Sequence, residues 1–201
     1  NDGGGSIRIP AAYCGLVGLK SSRGRIPRRA QTWMGAVVEG AVTRTVADAA
    51  AVLDACAGPD PLAWNNAIPP QRPFAEEIGA APGQLRVGLM AQAPLGIPTD
   101  PACVAAARET AALLEQLGHA VSEVEVPTIS EQLVPGFTVL ATAGIAYYDG
   151  VDWERVEPHN RHSYEVASKQ LSAYEYVVAA QTLERLSRRE VARWGRDFDV
   201  L

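Results

Sequence analysis

The sequence is poor in the residues that would place it in several broad classes. Its three cysteines, Cys14, Cys56 and Cys103, are odd in number and widely spaced, each beside alanine, glycine or valine. They read as small buried hydrophobes rather than disulfide partners or metal ligands, a usage compatible with a reducing cytoplasm. No run of 18 apolar residues is present, and no charged segment leads into an apolar one, so neither a membrane span nor a signal segment is read. Lysine is confined to Lys20 and Lys169. The net charge is −5, and the one basic concentration, Arg185, Arg188, Arg189, Arg193 and Arg196, is interleaved with acidic residues as on a solvated helix face. A nucleic-acid partner is therefore not expected.

What is present suffices for an ordinary globular chain: 201 residues, 47% hydrophobic and 20% charged, can bury a sizeable core. The distinctive stretch is the first. Gly3, Gly4 and Gly5 run into Ser6, so a length of main chain without Cβ atoms can curl around an oxygen and present several N–H donors. If Ser6 attacks a carbonyl, the N–H groups of Gly3, Gly4, Gly5 and Ser6 stand where negative charge develops. Such donors contribute about 2.7–4 kcal/mol each when probed by removal.

The 26 residues DGGGSIRIPAAYCGLVGLKSSRGRIP closely resemble the central signature of the amidase signature family of serine hydrolases, in particular through GGSIR and GLK at their offsets. The resemblance implies that Ser6 is the nucleophile that forms an acyl-enzyme, that Gly3, Gly4 and Gly5 form the oxyanion loop, and that Asp2 and Arg8 brace it. It implies no cofactor and no metal. In the family a lysine of lowered pKa acts as the base through a second serine preceded by a cis peptide bond. Both precede the signature, and the final FDVL resembles the first half of a later family segment. The expectation is thus a partial amidase domain over residues 1–201, lacking the N-terminal part with those two residues and also the C-terminal part. Lys20, within GLK, and Lys169 are read as structural or solvated.

The expected fold is α/β, part of the amidase signature fold, with a mixed, mostly parallel sheet flanked by helices. Leu16, Val17 and Leu19 read as a short buried segment, and Ser21 to Gly24 as a turn. A helix from about Thr45 to Cys56 is capped by threonine and stopped by Gly58-Pro59. The proline-rich stretch Asp60 to Pro73 is expected to be an ordered surface loop with Trp64 anchored in the core. Leu85 to Met90 reads as a central strand, Asp100-Pro101 opens a helix with Val104, Ala107, Ala111, Leu114 and Leu117 on its buried stripe, and Ala120 to Val126 is a second strand. A helical crossover between strands predicts parallel neighbours.

From Ser130 helices predominate, the last over Ala173 to Trp194. In the resembling family the region Phe137 to Tyr148 tends to line the acyl pocket, which implies substrate contacts for Phe137, Thr142, Tyr147 and Tyr148; taken one at a time, as side chains of an amphipathic helix, each reads first as core or rim. His159 and His162 lack a third ligand of the right kind and read as residues of a surface loop.

Two functions from different classes are open. One is hydrolysis of a small-molecule amide, with no nucleic-acid or membrane partner and a homodimer as a compatible assembly. The other is a non-catalytic anion-binding or scaffold module that uses the glycine loop as a cradle. Within the hydrolase reading, Val37 to Pro73 is most similar to bacterial amidases of the 6-aminohexanoate-cyclic-dimer hydrolase type. The hydrolase reading requires the Ser6 hydroxyl to be open rather than sealed in the interior.

Overall fold

The computed structural model describes residues 1–28, 30–125 and 133–201. In chain order it contains α1 (Arg8–Tyr13), β1 (Val17–Gly18), β2 (Val42–Thr43), α2 (Val46–Cys56), β3 (Arg86–Leu89), α3 (Pro101–Gln116), β4 (Ala120–Glu123), α4 (Leu133–Ala143), α5 (Pro158–Lys169) and α6 (Ala173–Val191). These fall into two compact units, Asn1–Ala80 with Leu140–Gln170 and Ala81–Val139 with Leu171–Leu201. None of the described helices is long and apolar enough to cross a membrane. Val126 and Ser130, the expected end of a strand and start of the helical region, lie outside the described residues.

In the first unit the core consists of Ile7, Ala11, Val37, Val38, Ala49, Ala50, Leu53 and Leu140. The helix expected from about Thr45 is present as α2: Thr45 Oγ1 accepts the Asp48 N–H at 3.0 Å, and Ala49, Ala50 and Leu53 face inward. The antiparallel pair β1–β2 sets Val17 opposite Thr43. A Cβ built on Gly18 would lie 2.6 Å from the Ala11 Cβ and 2.9 Å from the Ile7 carbonyl, so α1 packs directly onto the β1 backbone. The interior places there belong to Ile7 and Ala11, and Leu16 and Leu19, expected to be buried, are 39% and 43% exposed.

The loop over 60–73 carries no helix or strand, but Trp64 does not anchor it: its side chain is fully exposed. Charged groups hold the loop instead. Arg25 Nη1 donates to the Ile68 carbonyl at 2.8 Å and its guanidinium lies 5.4 Å from the Phe74 ring centre. The Asp54 carboxylate accepts the Phe74 and Ala75 N–H groups at 2.6 and 2.8 Å, capping the 3₁₀ turn Phe74–Glu77. With the loop fastened at Ile68 and just beyond Pro73, no buried aromatic is needed.

In the second unit β3 and β4 pair in parallel, Arg86 opposite Ala120, joined through α3 as the strand–helix–strand pattern predicts. On its other edge β3 meets Val200: Gly88 N–H donates to the Val200 carbonyl at 2.8 Å, and Val200 N–H to the Arg86 carbonyl at 3.2 Å. Asp100 caps α3 by accepting the Ala102 N–H at 2.8 Å, ahead of Pro101 in the first turn. Ala111 is buried on the expected stripe, whereas Leu117 is 66% exposed where α3 ends. Phe198, 1% exposed, sits edge-on to Trp194 with centroids 4.8 Å apart. Ser172 and Glu175 form a reciprocal capping box at the start of α6.

The fold is α/β with small sheets. Among the described residues one two-stranded sheet is antiparallel and one parallel, so a parallel majority is not seen. All three cysteines are exposed, against expectation. Each stands at a helix end, Cys14 just after α1, Cys56 last in α2 and Cys103 in the first turn of α3, where the chain is leaving or has not yet reached the interior. His159 and His162 also differ from expectation: they lie on α5, where both are exposed, rather than in a loop.

Candidate functional site

Asp2 organises the glycine stretch. Its side chain is fully buried, and its carboxylate accepts the N–H groups of Gly5 at 2.7 Å and of Ile7 and Arg8 at 3.3 Å. It also receives Arg8 Nε and Nη2, each at 3.0 Å, a bidentate pair. The Arg8 guanidinium holds the carboxyl well below the usual carboxylate range; burial opposes this, and the backbone donors assist it. The same pair raises the Arg8 pKa. The backbone of Asp2 is paired with Val38 in both directions, at 2.8 and 3.1 Å, which ties the stretch to the segment that follows the 3₁₀ turn Trp33–Gly35.

This curl decides which way Ser6 faces. Gly5 and Ile7 are both buried, and the residue between them is exposed. Gly5 has φ +124, and a Cβ there would lie 2.5 Å from Ile9 Cδ1, so both backbone and space favour glycine. The Gly5 N–H is already donated to Asp2, which removes it from the expected set of oxyanion donors. Among the described residues the N–H groups of Gly3, Gly4 and Ser6 have no hydrogen-bond acceptor.

Ser6 and Gly3 border a concavity of about 440 Å³ within the first unit. Three of the four expected pocket residues, Thr142, Tyr147 and Tyr148, border it too. The two tyrosine rings meet edge to face, 5.5 Å apart at 82°. Phe137 is not among the lining residues; it lies earlier on α4, in the part that belongs to the second unit. Tyr147 lies in the 3₁₀ turn Gly144–Tyr147 and Tyr148 just after it, so a change of helix type separates the two tyrosines from Thr142 on α4.

Sequence reasoning did not single out Trp33, Asn160 and Ser163, which also border the concavity. The last two stand three apart on α5, the spacing that puts side chains on one helix face; the neighbouring histidines drew attention to the same spacing one residue out of phase. Trp33 had no periodic signal. It and Met34 have positive φ, 51° and 53°, conformations that cost L-residues about 1–2 kcal/mol each.

The two lysines are both engaged elsewhere. Lys20 Nζ donates to the Ala36 carbonyl at 2.7 Å, and burial lowers its pKa. Lys169 pairs with Glu165 at 3.4 Å on α5. Neither borders the concavity. Among the described residues no group of three or more His, Cys, Asp or Glu side chains is placed to hold a metal ion.

Comparison with known proteins gives these features a context. The amidase family model matches residues 1–201. The 6-aminohexanoate-cyclic-dimer hydrolase of Pseudomonas sp. (strain NK87) is 45% identical over 129 residues, which cover 61% of this chain and 26% of that protein. A solved structure of 6-aminohexanoate cyclic dimer hydrolase complexed with substrate superposes with a TM-score of 0.87 at 32% identity, covering 98% of this chain and 44% of that one. A bacterial aryl acylamidase belonging to the amidase signature enzymes shares the fold, with a TM-score of 0.78 at 20% identity over 97% of this chain and 43% of its own. The chain thus spans less than half the length of the relatives it matches.

Proposed function

The chain belongs to the amidase family, and on that premise we propose that it carries the nucleophile of an enzyme that hydrolyses amide carbon–nitrogen bonds. Ser6 Oγ attacks the amide carbonyl carbon, and the carbonyl oxygen takes up the negative charge beside the N–H groups of Gly3, Gly4 and Ser6. Collapse of the tetrahedral species breaks the C–N bond, and the proton from the serine hydroxyl leaves on the amine. Water then attacks the acyl-serine, releasing the carboxylic acid and restoring the hydroxyl. The observation that carries this reading is the position of Ser6: exposed on a concavity, held outward by the buried residues on either side, with main-chain donors next to it.

In this reading the 201 residues are part of an amidase domain. The base is a lysine acting through a second serine, as the family resemblance implies, and it is neither Lys20 nor Lys169, since neither borders the site. The substrate is a small linear or cyclic amide. The similarity to 6-aminohexanoate-cyclic-dimer hydrolases supports an amide of that kind, and a space of about 440 Å³ lies within the range of small-molecule sites.

The test is a serine-directed fluorophosphonate probe on the full-length protein, read by mass spectrometry. One covalent adduct on Ser6, abolished in Ser6→Ala, is expected. A protein that is never labelled, or whose label persists in Ser6→Ala, sinks the proposal.

A further inference from the structure

The indole of Trp33 is wedged between two glycines that both border the Ser6 concavity. A Cβ built on Gly3 would lie 2.7 Å from Trp33 Cζ3 and 2.8 Å from Cε3, on the six-membered ring. A Cβ built on Gly144 would lie 2.5 Å from Cδ1 and closer still to Nε1, on the five-membered ring. The two rings of one side chain thus touch the backbone of the glycine stretch at one end and, at the other, the start of the turn that leads to Tyr147 and Tyr148. A side chain beyond hydrogen fits at neither contact.

The loop that delivers this indole is held in an unfavourable conformation by an unusual set of donors. Trp33, Met34 and Gly35 are three successive residues with positive φ. The carbonyls of Gly35, Ala36 and Val37 each accept from a different basic side chain: Arg23 Nε at 3.0 Å, Lys20 Nζ at 2.7 Å and Arg28 Nη1 at 2.9 Å. Arg28 also donates to Thr32 Oγ1 at 3.2 Å and pairs with Glu39 at 3.1 Å. Strain over-determined in this way, beside a site, is where a geometric role is to be sought.

We propose that Trp33 is a positioning residue of the Ser6 site, a spacer whose indole sets the separation between the glycine stretch and the Gly144–Tyr148 wall and so limits the width of the acyl group accepted. The inference rests on the hydrolase reading of Ser6. Close packing on both indole edges means that a smaller side chain leaves room on the acyl side. An added methyl at Gly144 pushes the indole toward Gly3 and disturbs the donors next to it.

The test compares p-nitroanilides of acetate, hexanoate and benzoate on the full-length protein, wild type against Trp33→Leu, Gly144→Ala and the double variant. Trp33→Leu is expected to raise the benzoyl-to-acetyl ratio of kcat/KM by about ten-fold, the scale of a pocket gaining or losing a methylene. Gly144→Ala is expected to lower kcat by about ten-fold, with KM changed less, and Trp33→Leu in the same chain is expected to restore most of that loss. A ratio within about two-fold of wild type in a Trp33→Leu protein that still takes the fluorophosphonate label overturns the spacer, as does a Gly144→Ala defect of the same size in both backgrounds. Where Trp33→Leu does not fold, Trp33→Phe carries the same comparison. Absence of label on wild-type Ser6 is a separate result: it removes the hydrolase reading and this inference with it.

Discussion

The carboxylate of Asp2 and the guanidinium of Arg8 meet in a bidentate pair, each nitrogen–oxygen distance 3.0 Å, with the acid fully buried and the arginine side chain half exposed. Six residues apart, they close the glycine stretch into a ring that also captures the Gly5, Ile7 and Arg8 N–H groups. A buried carboxylate with this many donors is difficult to replace. Asp2→Asn keeps the shape but turns one acceptor into a donor that faces donors, and it leaves Arg8 without its counter-charge. The expected loss is about 2–4 kcal/mol of unfolding free energy in urea titration, together with loss of fluorophosphonate labelling at Ser6. Labelling at the wild-type rate in Asp2→Asn would separate the brace from the function of the loop.

The same pair sets a pH dependence. The folded carboxyl of Asp2 is held below its unfolded value of roughly 3.9, so the folded state binds fewer protons there. The stability it contributes is fully present above the unfolded value and is lost as pH falls through the lowered folded value. The stability difference between wild type and Asp2→Asn is therefore expected to stay constant from about pH 8 to pH 5 and to shrink below about pH 4. A difference that already declines between pH 7 and pH 5 would show that the carboxyl is not held low.

The elements legible in the sequence were those whose signals are local. Thr45 and Asp100 cap helices where the side-chain chemistry said they would, and the strand–helix–strand pattern around α3 made a parallel pair. Trp64, Leu16 and Leu19 misled because hydrophobicity was taken for burial, while Arg25, Asp54, Ile7 and Ala11 had already fastened or filled those places. In the site, the glycine run could be read from composition, but the commitment of the Gly5 N–H to Asp2 is a property of the fold. Trp33 was invisible for the same reason: its contacts at Gly3 and Gly144 are more than a hundred residues apart along the chain, and no spacing rule joins them.

The four residues expected in an acyl pocket divide into two groups that substitution can tell apart. Thr142, Tyr147 and Tyr148 border the same concavity as Ser6, and Phe137 does not. Tyr148→Ala is expected to raise KM for a good amide substrate by about ten-fold, since it removes one wall of the space proposed for the acyl group. Phe137→Leu is expected to leave KM unchanged and to cost less than about 1.5 kcal/mol of stability as a tolerated apolar exchange. Steady-state kinetics on both variants decide the assignment, and a reversed pattern would move the acyl group away from the tyrosines.

Two aromatic residues make opposite predictions for stability. Phe198 is 1% exposed, lies edge-on to Trp194, has Arg193 5.3 Å from its ring centre, and would lie 3.1 Å from a Cβ built on Gly88 of β3. Next to it, Asp199 accepts Arg86 Nη2 at 2.6 Å, and that guanidinium holds the Asp199 carboxyl at about 2. Removing the ring leaves a void against β3 and loosens the segment that pairs with its outer edge. Phe198→Ala is expected to cost about 3–5 kcal/mol. Trp64, although larger, is fully exposed, and Trp64→Ser is expected to stay within about 0.5 kcal/mol of wild type. Urea titration of both variants on the same protein checks the pair. A large loss for Trp64→Ser would mean that the indole is covered, and a small one for Phe198→Ala that the β3–Val200 contact does not depend on the ring.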